Sequence, residues 1–361
     1  MKLSKYLTLL ILVFTYNLAF AQIINFDFNL DNAKETVSIL KSKNPTEAQL
    51  NAFVKLPGTQ AVIRKIKATD SLAYQAIKDA TLGIFKKETS NFQYKSIYEN
   101  LDKLDRFIQL IYSKQDSIKD DLQKSFAPYL DKSKSYNFNV FMLMGGYSAG
   151  FSFEENSNAF YIVLHHYQYD LGAVAVVCKH ELFHNIQAIY YTPSNLTEKL
   201  EKINKGYANT HTLLNYVFME GSASYIEEYN LLKNKNMPFL KEMRDHIALN
   251  ENRIGSLNLL INSILLDVFN RPQRVGLEAA YELLFDWNWN NPAYYVGEKM
   301  TQALLELKGK EALKVYMKRD AVYFFEDYID LAKKDKDKFP IQFTAEFEKM
   351  IKAIKWQVER I

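Results

Sequence analysis

Cysteine occurs once in the 361 residues, at Cys178, so no intrachain disulfide can form and the fold has to rest on its core. Charge of one sign is not in excess. Lys and Arg number 45 against 42 Asp and Glu, a formal +3, and Lys2 and Lys5 supply two of those three charges. A chain so near neutrality offers no global field for nucleic acid or for an anionic membrane. Glycine is sparse, 12 in all. The sequence holds no convincing nucleotide-binding Gly-rich loop, no GxSxG elbow and no paired-Cys zinc ribbon. Beyond an N-terminal apolar run, no stretch is long and apolar enough to cross a bilayer. What the chain does have is 48% hydrophobic residues, with 24 Tyr and 24 Phe. That composition excludes wholesale disorder and points to a large aromatic core.

Residues 1–21 read as a secretory signal peptide. Lys2 and Lys5 form the positive start, Leu7 to Phe14 the apolar run, and Ala19-Phe20-Ala21 a small-x-small cleavage site before Gln22. No Cys follows the run, so a lipoprotein anchor is not indicated. The mature protein is expected in a bacterial periplasm or outside the cell, with no stable membrane insertion after cleavage. Residues 22–130 read as an N-terminal helical scaffold. Val37, Leu40, Leu72, Ile77 and Ile84 recur at helical spacing, Asn44-Pro45-Thr46 and Pro57-Gly58 mark breaks, and Thr46 to Gln49 resembles a capping box.

Residues 131–361 change character. Tyr136 to Phe141, Phe151 to Phe153 and Asn158 to Leu164 are β-branched and aromatic runs between Gly and Asn breaks, which suggests a small antiparallel sheet. Gly145 to Gly150 is either a mobile flap or a simple hairpin loop. From Asp170 onward the pattern is helical, broken by Pro193, Pro238, Pro272, Pro292 and Pro340.

The chemical signal is His180-Glu181-Leu182-Phe183-His184. Asp170 can cap a helix that runs to Thr192-Pro193. Residues four apart share one helix face, so His180 and His184 can both offer a ring nitrogen to one Zn²⁺. Glu181 then projects beside the metal, where a general base for a zinc-activated water is needed. Glu220 is the candidate third ligand. It lies in Phe218-Met219-Glu220-Gly221-Ser222-Ala223, on a helix expected from about Leu213 to Leu232 and beside the HExxH helix. The small residues after it would let two backbones approach closely, and a buried carboxylate there needs a partner. Glu227 and Glu228 are alternatives that read as an exposed helix face, and His211 is a weaker third-ligand candidate near the helix start. Tyr225 is a candidate for stabilising an oxyanion and reads more simply as core. His165-His166 reads as surface or core, Cys178 as buried and inert, and His246 as surface.

With these residues on one chain, the sequence resembles the gluzincins, zinc metallopeptidases with HExxH and a Glu ligand on a following helix. It is most similar to secreted bacterial zinc-dependent peptidases that otherwise count as a domain of unknown function. The resemblance rests on His180-Glu181-x-x-His184, Glu220-Gly221-x-Ala223 and Tyr294-Tyr295-Val296-Gly297, and spans roughly Tyr136 to Met317. It implies a predominantly α-helical α+β fold with a zincin-like core and a small antiparallel or mixed sheet beside the HExxH helix. It also implies Zn²⁺ on His180, His184 and Glu220, a peptide or protein substrate, and Tyr294 or Tyr295 as oxyanion donor, for which aromatic packing is the plainer alternative. In such folds the sheet edge pairs with the extended substrate backbone.

Two departures stand out. The 36 positions from His184 to Glu220 exceed the thermolysin-like spacing, so a polar excursion is expected over Tyr191 to Asn209. Ser224 stands where thermolysin-like enzymes carry an Asp that supports a metal-binding His, so either Ser224 or another group has that role. A non-catalytic binding or scaffold protein on the same fold is the alternative reading, and the intact Glu181 argues against it.

Overall fold

The computed structural model describes residues 23–361 other than 43, 154, 191–194, 228–237 and 287–289. The expected signal segment, the Thr192-Pro193 stop and Glu228 lie outside the described residues. The fold is predominantly helical, with a mixed sheet of four strands: β1 (Ile23–Asn29), β2 (Ser135–Leu143), β3 (Gly150–Ser152) and β4 (Ala159–Val163). Along β1 and most of β2 exposed and buried residues alternate, the period of a strand with one face covered. β4 is buried at every residue, as a strand inside a sheet covered on both faces must be.

The strand order is β1-β2-β4-β3. β1 and β4 both run parallel to β2, and only β3 is antiparallel to its neighbour, so the sheet is mixed rather than antiparallel. The physical reason lies at the N-terminus. Ile23-Ile24-Asn25-Phe26-Asp27-Phe28-Asn29 alternates and forms a strand inside the segment expected to be helical. A parallel pair needs a long crossover, which the helices between Asp31 and Phe126 supply. Phe26 pairs with Phe138, and Phe141 and Phe151 flank Tyr161, so aromatic rings bind the strands across one another.

The N-terminal helices are built into this sheet. The capping box at Thr46 forms, with Thr46 N donating to Gln49 Oε1 (2.9 Å) and Gln49 N to Thr46 Oγ1 (3.2 Å). Buried Asn32 donates to Thr59 Oγ1 (2.9 Å) and accepts from Met144 N (2.8 Å), tying two of these helices to the end of β2.

Three helices position the site. The HExxH helix (Leu171–Tyr190) starts where Asp170 Oδ1 accepts from Gly172 N (2.8 Å) and Ala173 N (3.3 Å). It is buried nearly all round, with Val174, Val176, Cys178, Leu182, Phe183 and Ile186 in the core. Phe183 packs against Phe126 and Tyr129, and burying a ring of this kind contributes about 1.5–3 kcal/mol. Asn185 Nδ2 donates to Ser157 O (2.8 Å) and Ala159 O (2.9 Å), which fixes the helix against the start of β4.

The Glu220 helix (Lys205–Glu227) begins earlier than expected, so the excursion is shorter than Tyr191 to Asn209 and contains a further helix, Leu196–Ile203. Its small residues divide between two neighbours. Ser222 accepts from Gln187 Nε2 of the HExxH helix (2.9 Å), while at the Tyr294 helix (Pro292–Lys308) Gly221 and Gly297 bring the backbones together. A Cβ on Gly221 would lie 2.3 Å from the Gly297 carbonyl carbon, and one on Gly297 2.3 Å from Val217 O. Among the described residues no helix is long and apolar enough to cross a membrane.

Candidate metal centre

His180 and His184 sit one turn apart on the HExxH helix and face Glu220 on the neighbouring helix. The two Nε2 atoms are 2.9 Å apart, and Glu220 Oε2 lies 3.2 Å from His180 Nε2 and 3.3 Å from His184 Nε2. Ligands at 2.0–2.1 Å around a tetrahedral zinc are separated by about 3.3 Å. The three atoms therefore already stand near the edges of such a tetrahedron. Among the described residues this is the group that could hold a metal ion.

The other ring nitrogens decide which lone pairs face inward. His180 Nδ1 is in contact with the carboxylate of Glu227. His184 Nδ1 lies 2.8 Å from Gln187 Oε1. The Gln187 amide is oriented in turn, since its Nε2 donates to Met219 O (2.9 Å) and Ser222 Oγ (2.9 Å) on the Glu220 helix. Both partners are acceptors, so both imidazoles carry their proton on Nδ1 and present an Nε2 lone pair to Glu220. Two lone pairs and a carboxylate converging on one point are satisfied by a cation, and the imidazole and carboxylate donors suit zinc.

The carboxylates also draw positive charge to this point, which either an Nε2 proton or a metal ion in its place supplies. Burial disfavours charge on His180, but the carboxylates of Glu227 and Glu220 outweigh it and hold its pKa well above the usual imidazole value. Burial also works against charge on Glu220, and the two histidines overcome it, holding its carboxyl well below the usual range.

Glu181 stands beside this trio rather than in it. It is buried, and burial raises its carboxyl above the ordinary value. A Cβ on Gly150, the first residue of the edge strand β3, would lie 2.7 Å from Glu181 Oε1, so glycine leaves the carboxylate room where it stands. Tyr294 stacks its ring on His180 (centroids 6.2 Å apart, 15° between planes). Burial and the nearby Glu220 charge push its hydroxyl pKa well above 10. Tyr295, its neighbour, points elsewhere: its hydroxyl is 2.7 Å from His246 Nδ1, and His246 Nε2 is 3.3 Å from Asn290 Oδ1.

Several expectations are corrected here. Glu227 is buried against His180 and is not part of an exposed face, and it holds the supporting position for which Ser224 was weighed. His211 is engaged by Asp320 at 2.6 Å, far from a ligand role. His246 is partly buried between Tyr295 and Asn290 rather than on the surface. His166 Nε2 bonds Gly146 O (3.1 Å) and Tyr167 donates to Ala149 O (2.5 Å), so the Gly145–Gly150 loop is tied down, and it crosses from β2 past β4 to β3 rather than closing a hairpin. His165 stacks on His166, and burial lowers its pKa to about 3, which keeps it neutral. Cys178 is fully buried, and burial raises its thiol pKa, as expected of an inert residue. Tyr225 lines the larger cavity beside the centre. Sequence reasoning passed over Gln187, although it stands three residues after His184 on the same face.

The centre lies between two cavities. The larger, about 650 Å³, is bounded by Val177, Tyr225, Glu227, Tyr295 and Glu298; the smaller, about 380 Å³, by Lys65, Phe151, Phe153, Tyr216 and Tyr281. Gly150, His180, Glu181 and Tyr294 line both. No curated protein and no solved structure matches the chain. One family model does, over residues 50–337, and its description is "Putative zinc dependent peptidase (DUF5700)".

Proposed function

The chain belongs to that family, and from the geometry of its centre we propose that it is a zinc metallopeptidase that cleaves peptide bonds with Glu181 as general base. The observation that carries this reading is the triangle of His180, His184 and Glu220 donor atoms with both Nδ1 positions already taken. His180, His184 and Glu220 would hold the metal. Bound zinc supplies Lewis-acid chemistry, acidifying a water and polarising a carbonyl.

The chain's own groups do the rest. Glu181 is outside the ligand trio and free to take a proton from the attacking water and pass it to the leaving amine. Its burial favours the protonated form, which suits the donating half of that exchange. Tyr294, on the face of His180, donates its hydroxyl hydrogen to the carbonyl oxygen as that atom gains charge. The bond to His246 makes Tyr295 a positioning residue for its helix rather than a second donor. The substrate runs extended along β3, whose outer edge is unpaired among the described residues, with residues on either side of the cleaved bond seated in the two cavities.

Lys65 lines the smaller cavity, which supports residues 22–130 as a permanent part of the enzyme rather than a removable pro-segment. The leader-like residues 1–21 support export to a bacterial periplasm or exterior, where the substrates are peptides or proteins and not nucleic acid.

The test is hydrolysis of an internally quenched peptide mixture by the purified mature chain. Activity should vanish on chelation, return with zinc, and be lost in Glu181→Gln while that variant keeps its zinc. The expected loss is about 10²–10⁴-fold. Undiminished cleavage by Glu181→Gln, or none by the zinc-loaded wild type, would overturn the reading.

A further inference from the structure

The two cavities differ in charge. The only cationic side chain among the described residues lining the smaller one, histidines aside, is Lys65, set among aromatic rings. The larger is lined by Glu181, Glu227, Glu251 and Glu298 against Lys299. Three of these carboxylates have occupations. Glu181 serves the centre, Glu227 faces His180 Nδ1, and Glu251 accepts from Lys299 Nζ at 2.6 Å. Glu298 makes no hydrogen bond or ion pair among the described residues.

We propose that the larger cavity is a cation-accepting subsite in which Glu298 takes the ammonium or guanidinium group of a peptide substrate, an inference that rests on the peptidase reading above. A carboxylate beside other carboxylates and without a partner is stabilised by an incoming cation, and a hydrogen bond to a charged group is worth about 1.5–3 kcal/mol. The walls suit such a group. Val177, Met243 and Ile247 offer apolar surface for a methylene stem, with Glu298 for the charged head. Burial, with Glu227 and Glu251 adding to it against Lys299, pushes the Glu298 carboxyl up to about 7, the behaviour of a group lacking a counter-charge. Glu298 follows Gly297, whose contact with the Glu220 helix fixes the backbone there, so the carboxylate is held at a set place relative to the centre.

The cation can come from a Lys or Arg side chain or from a peptide's own α-amine, and the test separates these. Binding to zinc-loaded Glu181→Gln is measured by calorimetry with alanine pentapeptides carrying lysine or norleucine at the centre, each with a free or acetylated N-terminus. Norleucine keeps the stem and removes the charge. Lysine is expected to bind about tenfold or more tightly than norleucine. Adding Glu298→Gln should erase that difference while zinc content and Tm hold. A gain that follows the free N-terminus instead, and is erased by Glu298→Gln, assigns the site to the α-amine. Equal binding of all four peptides, or a preference untouched by Glu298→Gln, overturns the proposal. Turnover of the same peptides by wild type separates the two claims. Charge-selective binding without any cleavage removes the peptidase reading and leaves the subsite; cleavage without charge selectivity does the reverse.

Discussion

The two histidines of the centre present the same atom to the same carboxylate, yet they are held in unlike ways. His180 leans on a buried carboxylate, Glu227, from the last described turn of the Glu220 helix. His184 leans on a neutral amide, Gln187, from its own helix, and that amide is anchored by Met219 and Ser222. A carboxylate raises the basicity of the imidazole it supports and adds negative charge behind it; an amide fixes the ring and its tautomer and adds little charge. The asymmetry continues outward. The His180 side opens on a cavity rich in carboxylates, and the His184 side on one lined by aromatic rings and Lys65. The centre is therefore polar along the expected direction of the substrate, and one histidine is tuned by charge while the other is set by geometry.

The largest expected effect separates those two supports. Glu227→Gln removes the charge behind His180 and should weaken zinc affinity by about 10–100-fold. Gln187→Ala should fall at or below the low end of that range. Competition with a chromophoric chelator reads both, and equal losses would break the comparison. A change that moves the whole Glu220 helix should instead strike both sides together. Gly297→Ala places a methyl group 2.3 Å from Val217 O, a contact relieved only by parting the helices. It should cost about 1–3 kcal/mol in denaturant unfolding and weaken zinc binding without favouring either histidine.

The smallest effect tests the outer cavity. The native Glu298 carboxyl titrates near 7 against an ordinary 4.5, so between those values the native chain binds more protons than the unfolded one. Wild-type stability therefore declines as pH rises through that window. Glu298→Gln lacks this titration, so its Tm relative to wild type should climb from about pH 4.5 to about pH 7. A flat difference would place the Glu298 charge outside the buried cavity.

What was legible in the sequence is what local geometry dictates. HExxH places two imidazoles on one helix face by spacing alone, and Asp170, Thr46 and Pro57 act within a few residues of themselves. Glu220 was singled out for its small-residue neighbourhood, of which Ser222 serves the HExxH helix and Gly221 the Tyr294 helix. Glu227 read as exposed because its burial depends on how two helices cross, which no single-helix pattern contains. The strand β1 was missed for a similar reason. Its partner lies 112 residues away, and seven alternating residues carry little signal alone. His246 found Tyr295 and Asn290 only through the fold.

The central claim is that His180, His184 and Glu220 hold one zinc ion. Metal content of the purified protein by mass spectrometry, with His184→Ala and Glu220→Ala alongside, tests it most directly. The account predicts about one zinc per wild-type chain and its loss from both variants. A wild type that takes up no zinc when supplied with it would contradict the account.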